Sequence, residues 1–147
     1  AAISTPGALE RCHPFCSANP VRVWPGAGSR DEVHYYNGLV YERRVLEWRE
    51  GAGYSLRIGE PNGPSSLVTW EVSATGSSAS TLAITVYPHI LQGVPVVARW
   101  VPHLGYVRPL LRRYLRSVVS GFGWYVTRHE PVRRNQFGTH PWFSPTD

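Results

Sequence analysis

Tyr106–His129 (YVRPLLRRYLRSVVSGFGWYVTRH) is the stretch whose reading decides the fold. Val107, Leu110, Leu111, Tyr114, Leu115, Val118, Phe122, Tyr125 and Val126 recur at helical spacing. Arg108, Arg112 and Arg116 recur every fourth residue on another face, which Arg113 widens. An apolar stripe opposite a basic one predicts one long surface helix packed on a sheet. Gly121 and Gly123 each weaken such a helix by about 1 kcal/mol relative to alanine, so something is expected to approach closely there. Tight packing on the sheet is the plainer explanation; room for a ligand is the other.

The chain ahead of this helix reads as strands: Val21–Trp24, Glu32–Tyr36, Leu39–Trp48, Tyr54–Ile58, Leu67–Ala74 and Thr81–Tyr87. Asn37-Gly38 stands between two of them and predicts a hairpin with positive φ at both turn residues. Pro61-Asn62-Gly63-Pro64 predicts a second tight turn. Tyr54, Leu56 and Ile58 share one strand face, as do Val68, Trp70 and Val72. Sequential strands joined by short turns imply an antiparallel meander. The expected architecture is therefore α+β, a curved antiparallel sheet wrapped around the long C-terminal helix with a cavity between them.

Three flanking segments carry expectations of their own. Around Pro6–Arg11 a short helix is predicted, with Thr5 as its cap. Pro88, Gly93, Pro95, Pro102 and Gly105 are too many breakers for one regular element, and 88–105 reads as a gating loop or interrupted helix over the pocket mouth. The tail beyond Pro131 carries Phe137, Trp142 and Phe143, which implies that it folds back on the body or mediates self-association as a homodimer.

Composition narrows the function classes. The chain has 147 residues, enough for one domain with a sizeable core. All 15 basic residues are arginine, so no lysine exists for a Schiff base or for a Walker-type phosphate loop. The arginines are scattered without a dense run, and nucleic acid is not an expected partner. No run approaches the length of a membrane span and the first residues lack a secretory pattern, so a cytoplasmic location is expected. Cys12 and Cys16 flank His13, but the other histidines form no paired spacing, and neither metal nor cofactor is expected. The two cysteines read as free, mostly buried thiols.

Gly38-x-x-Tyr41-Glu42-Arg43, Glu47-Trp48, Trp70-Glu71-Val72, Leu82-x-Ile84-Thr85-Val86 and the helix Leu111–His129 with Gly121-Phe122 together resemble the START-like (SRPBCC) helix-grip superfamily. The resemblance is to its bacterial polyketide cyclase/dehydrase and lipid-transport family, and it spans about Leu9–Glu130. It implies a single START-like domain over residues 1–147 that lacks the family's first strand and most of its first helix, with 131–147 as an added tail. Carried over by position, the resemblance places Glu42 as a polar residue pointing into the cavity. It places Tyr54 and Trp70 as cavity aromatics, and Tyr106, Leu110 and Tyr114 on the helix face above the ligand.

Strand alternation independently puts Val40, Glu42, Arg44 and Leu46 on one face, so Glu42 reads either as a cavity carboxylate satisfied by an ion pair with Arg44 inside the cup or as a solvated edge-strand glutamate. The expected function is binding or transport of a small hydrophobic ligand, lipid or polyketide-like. Two alternatives stay open. One is a cyclase- or aromatase-like enzyme with Glu42 as general base and Tyr54 or Tyr114 as hydrogen-bond donor. The other is a protein-interaction module built on the basic helix and the aromatic tail.

Overall fold

A computed structural model describes residues 2–89, 95, 98 and 103–145. Seven strands form one antiparallel sheet: β1 (Cys16–Ala18), β2 (Val21–Val23), β3 (Arg30–Tyr35), β4 (Val40–Arg49), β5 (Gly53–Gly59), β6 (Ser65–Ala74) and β7 (Ser80–Tyr87). Their order is β1-β3-β4-β5-β6-β7, and β2 pairs with β3 on the same side as β1. A 3-10 turn at Ala2–Ser4 and one α-helical turn, α1 (Leu9–Cys12), precede the sheet. The long helix α2 (Arg108–Arg128) follows it, entered through a π-turn at His103–Val107. The sheet curls around α2 in the helix-grip manner, as the apolar periodicities of both partners require.

Each strand sends alternate residues to the concave face. Asp31, Val33 and Tyr35 of β3 are buried, as are Arg43 and Val45 of β4, Tyr54 and Leu56 of β5, and Ser66, Val68 and Trp70 of β6. A bulge in β4 between Val45 and Glu47 changes the parity, so that Trp48 also faces inward and stacks on Tyr54 at 5.4 Å. Trp70 meets Phe122 of α2 edge-on at 5.1 Å, which joins the sheet and the helix in one core.

The hairpin after β3 forms through a different turn from the expected one. Gly38 has φ 89°, whereas Asn37 is not among the positive-φ residues. Gly38 N–H donates to the Tyr35 carbonyl at 3.0 Å and Tyr35 N–H to the Leu39 carbonyl at 2.8 Å. The loop thus holds three residues, Tyr36 to Gly38, and the glycine alone supplies the positive φ. The expected N-terminal helix shrinks to α1, whose N-cap position is Ala8 rather than Thr5. β1 was not anticipated, because three residues between prolines carry no measurable period. Of the segment expected to gate the pocket, 90–94, 96–97 and 99–102 lie outside the described residues.

Packing accounts for Gly121, though against the N-terminal turn rather than the sheet. A Cβ there would sit 2.1 Å from the Cys12 carbonyl oxygen, while at Gly123 it would meet nothing within 4 Å. Cys12 and Cys16 are buried free thiols, and burial pushes both up to about 12.

The tail folds back. Val132 N–H donates to the Arg11 carbonyl at 2.8 Å and Asn135 N–H to the Pro14 carbonyl at 2.9 Å. Beyond them His140 and Phe143 are buried. Two similar corners result, His13-Pro14-Phe15 and His140-Pro141-Trp142. In each, the backbone N–H two residues on donates to the histidine Nδ1 at 3.2 Å, which leaves the proton on Nε2. His13 Nε2–H then donates to the Tyr114 hydroxyl at 2.9 Å, and His140 Nε2–H to the Leu110 carbonyl at 3.0 Å. The two corners hold successive turns of α2.

Candidate functional site

Between the concave face and α2 lies a cavity of about 420 Å³. Val33, Leu56, Ile58, Val68, Ile84 and Val86 line it from the sheet, and Leu111, Leu115 and Val118 from the helix. Of the aromatics placed there from sequence, Trp70 and Tyr114 line it.

The polar groups are segregated by register. Arg43 pairs across β5 with Ile58, and Ile58 with Ser66, which makes one row of the sheet. Tyr41 and Tyr35 lie beyond that row toward the hairpin, and Glu60 lies beyond it toward the Pro61–Pro64 turn. On the other side come the apolar row Leu56, Val68 and Val86 and then the row Trp70 and Ile84. Hydrogen-bonding side chains therefore occupy one end of the cavity and hydrocarbon the other.

At the polar end the Tyr114 hydroxyl is the junction. It accepts from His13 Nε2 and lies 3.3 Å from the Tyr35 hydroxyl. Burial, with the Arg43 charge beside it, pulls the His13 imidazole down to about 3, so it is neutral at physiological pH. Burial holds both the Tyr35 and the Tyr114 phenol above its ordinary value, and both keep their protons. The cluster is thus uncharged, a donor and acceptor for a carbonyl or hydroxyl rather than a proton-abstracting base. Phe143 of the tail stacks on Tyr35 at 4.6 Å and lies 4.6 Å from Tyr114, so the tail walls this end. At the other flank of the polar end the Ser66 hydroxyl pairs with His89 Nδ1 at 3.0 Å and accepts the His89 N–H at 3.1 Å.

Arg43 is a charged residue of the floor. Its Nε donates to Asp31 Oδ1 at 2.8 Å, and its Nη2 donates to Asp31 Oδ2. Asn19 Nδ2 adds a bond to Asp31 Oδ2 at 2.9 Å. Burial opposes the guanidinium charge, but Tyr54 and Asp31 outweigh it and hold Arg43 above its ordinary value. Asp31 and Arg43 face each other directly in the β3–β4 register. A bidentate, fully paired charge is what a strand can carry on an inward face.

That pair corrects the expected parity of β4. Tyr41 and Arg43 face the cavity, so Glu42 and Arg44 stand on the outer face, and no ion pair between them forms inside the cup. Tyr54 is buried deeper, packed on Trp24, Trp48 and Trp70, and borders a small void instead of the main cavity. Tyr106 is 58% exposed and touches Trp142 edge-on. Leu110 contributes its carbonyl to His140, and its side chain is not part of the lining. Sequence reasoning missed His13, Tyr35, Arg43 and Phe143. Two signals pointed to two of them: the repeated His-Pro-aromatic triplet to His13, and the equal spacing of Asp31 and Arg43 about Asn37 to Arg43.

Among the described residues no group of three or more His, Cys, Asp or Glu side chains is arranged to hold a metal ion, and no helix is long and apolar enough to cross a membrane. Comparisons with protein-family models, with curated proteins and with solved structures found no match.

Proposed function

We propose that this chain binds a small, mostly apolar molecule that carries one polar head, lipid or polyketide-like, in the cavity between the sheet and α2. The observation that supports this reading is the segregated lining. Apolar rows would take the body of the ligand, and the neutral Tyr114–His13–Tyr35 cluster would orient a carbonyl or hydroxyl. The cavity falls within the range of roughly 300–1,000 Å³ usual for small-molecule sites. The helix-grip arrangement fits the START-like family suggested by the sequence motifs, a family of carriers and cyclases. Glu42 stands on the outer face, so the reading gives it no catalytic role.

Mass spectrometry of the natively purified protein tests the proposal. The expected result is a bound species with an apolar body and a single oxygen-bearing head. It should be retained by the wild type and depleted in Tyr114→Phe, which keeps the ring and removes the hydroxyl. Absence of any bound species, together with failure of long-chain alcohols, ketones and fatty acids to bind the emptied protein, would overturn it.

A further inference from the structure

The outer face of α2 carries a second concavity, a groove of about 560 Å³ separate from the cavity beneath the helix. Arg108, Arg112, Arg113 and Arg116 line it together with Ser120, and Phe137 of the folded-back tail forms part of its wall. Ser117 Oγ donates to the Phe137 carbonyl at 3.3 Å, which ties that wall to the helix. We propose that this groove is a binding site for a phosphate-class anion, with the guanidinium groups as its ligands.

Three observations carry the proposal. First, among the described residues the positive charge has no ion-pair partner: the ion pairs there involve Arg22, His34, Arg43 and Arg49, and none of the four groove arginines. Second, the like charges stand close together. Arg108, Arg112 and Arg116 follow one another at four-residue spacing in the first three turns of α2, whose first turn holds no acidic residue, and like charges at that spacing repel. An anion in the groove relieves that repulsion. Third, the groups are of the right chemistry and the surface is of the right shape. Guanidinium forks match phosphoryl oxygens in bidentate geometry, and a walled groove lets several converge on one multiply charged anion, which a convex stripe does not.

The phosphoryl group can belong to a free phosphorylated compound or to a lipid headgroup, and the experiment separates the two. Inorganic pyrophosphate is titrated calorimetrically at constant ionic strength. Vesicles of phosphatidylcholine with and without phosphatidic acid are assayed by flotation. Each is measured on the wild type, on Arg112→Gln/Arg116→Gln, and on Arg30→Gln/Arg57→Gln, which removes the same charge from exposed strand positions. The expected result is saturable binding of one pyrophosphate per chain. It should weaken by on the order of tenfold or more in the groove variant and stay unchanged in the sheet variant.

Pyrophosphate binding without flotation assigns the site to free phosphoryl compounds. Flotation with phosphatidic acid that pyrophosphate competes away assigns it to headgroups. Binding of neither probe by the wild type would overturn the proposal, as would equal losses in the two variants. Unchanged far-ultraviolet circular dichroism and melting temperature in both variants exclude misfolding as the cause.

Discussion

His13 and Tyr114 are joined by a 2.9 Å hydrogen bond from the imidazole Nε2 to the phenol oxygen, a link between the segment before β1 and the middle of α2. Phe15 N–H on Nδ1 fixes the neutral tautomer in which Nε2 is the donor of this bond. One histidine thus helps position the helix and sets the polarity of the cavity.

Stability should depend on the protonation of that histidine. Folding lowers its pKa from 6.5 to about 3, burial being the largest cause. The contribution is complete above the unfolded value and is lost as pH falls from about 6.5 toward 3, because there the unfolded chain binds a proton that the folded one refuses. The slope is at most about 1.4 kcal/mol per pH unit for this group. Urea unfolding at pH 7.5 and pH 5 should show a larger drop for the wild type than for His13→Gln. Equal drops would mean that His13 is not buried neutral.

The paired charge on the floor of the cup gives a second prediction. Arg43→Met leaves Asp31 buried and unpaired, and should cost about 3–5 kcal/mol. Asp31→Asn/Arg43→Met removes both charges and should recover a substantial part of that loss. Chemical denaturation of the three proteins checks this, and a double variant as unstable as the single would show that the two residues do not act as a pair.

The helix glycines should respond in opposite directions. Gly121→Ala forces a methyl to within 2.1 Å of the Cys12 carbonyl and should destabilise by about 1–3 kcal/mol through displacement of α1. Gly123→Ala meets open space and should stabilise by up to about 1 kcal/mol through helix propensity. Thermal unfolding of both variants decides it, and a Gly121→Ala protein as stable as the wild type would refute the close approach.

The architecture was legible wherever a period persisted over several residues, as in β4 to β7 and α2. Tyr54, Leu56 and Ile58, or Leu111, Leu115 and Val118, announce their face without help from the rest of the chain. The candidate site was less legible, for a physical reason. On β4 both parities carry apolar residues, Val40 and Leu46 on one and Tyr41 and Val45 on the other, so alternation alone does not choose the inner face. The choice is made by Asp31 across the hairpin, which makes an inward Arg43 affordable, and by a bulge that no local pattern records. His13, His140 and Phe143 lie in segments without period, and their places depend on contacts with α2 about 30 to 100 residues away in sequence.

The central claim, that the space between sheet and helix receives an apolar guest, is tested most directly by filling it. Titration of an environment-sensitive apolar fluorophore is compared in the wild type and in Val68→Trp/Leu115→Phe, which places added bulk in the apolar rows. The account predicts one saturable site in the wild type, and its loss in a filled variant that keeps the same circular dichroism spectrum and a cooperative melt. Undiminished uptake by such a variant, or no saturable uptake by the wild type, would contradict it.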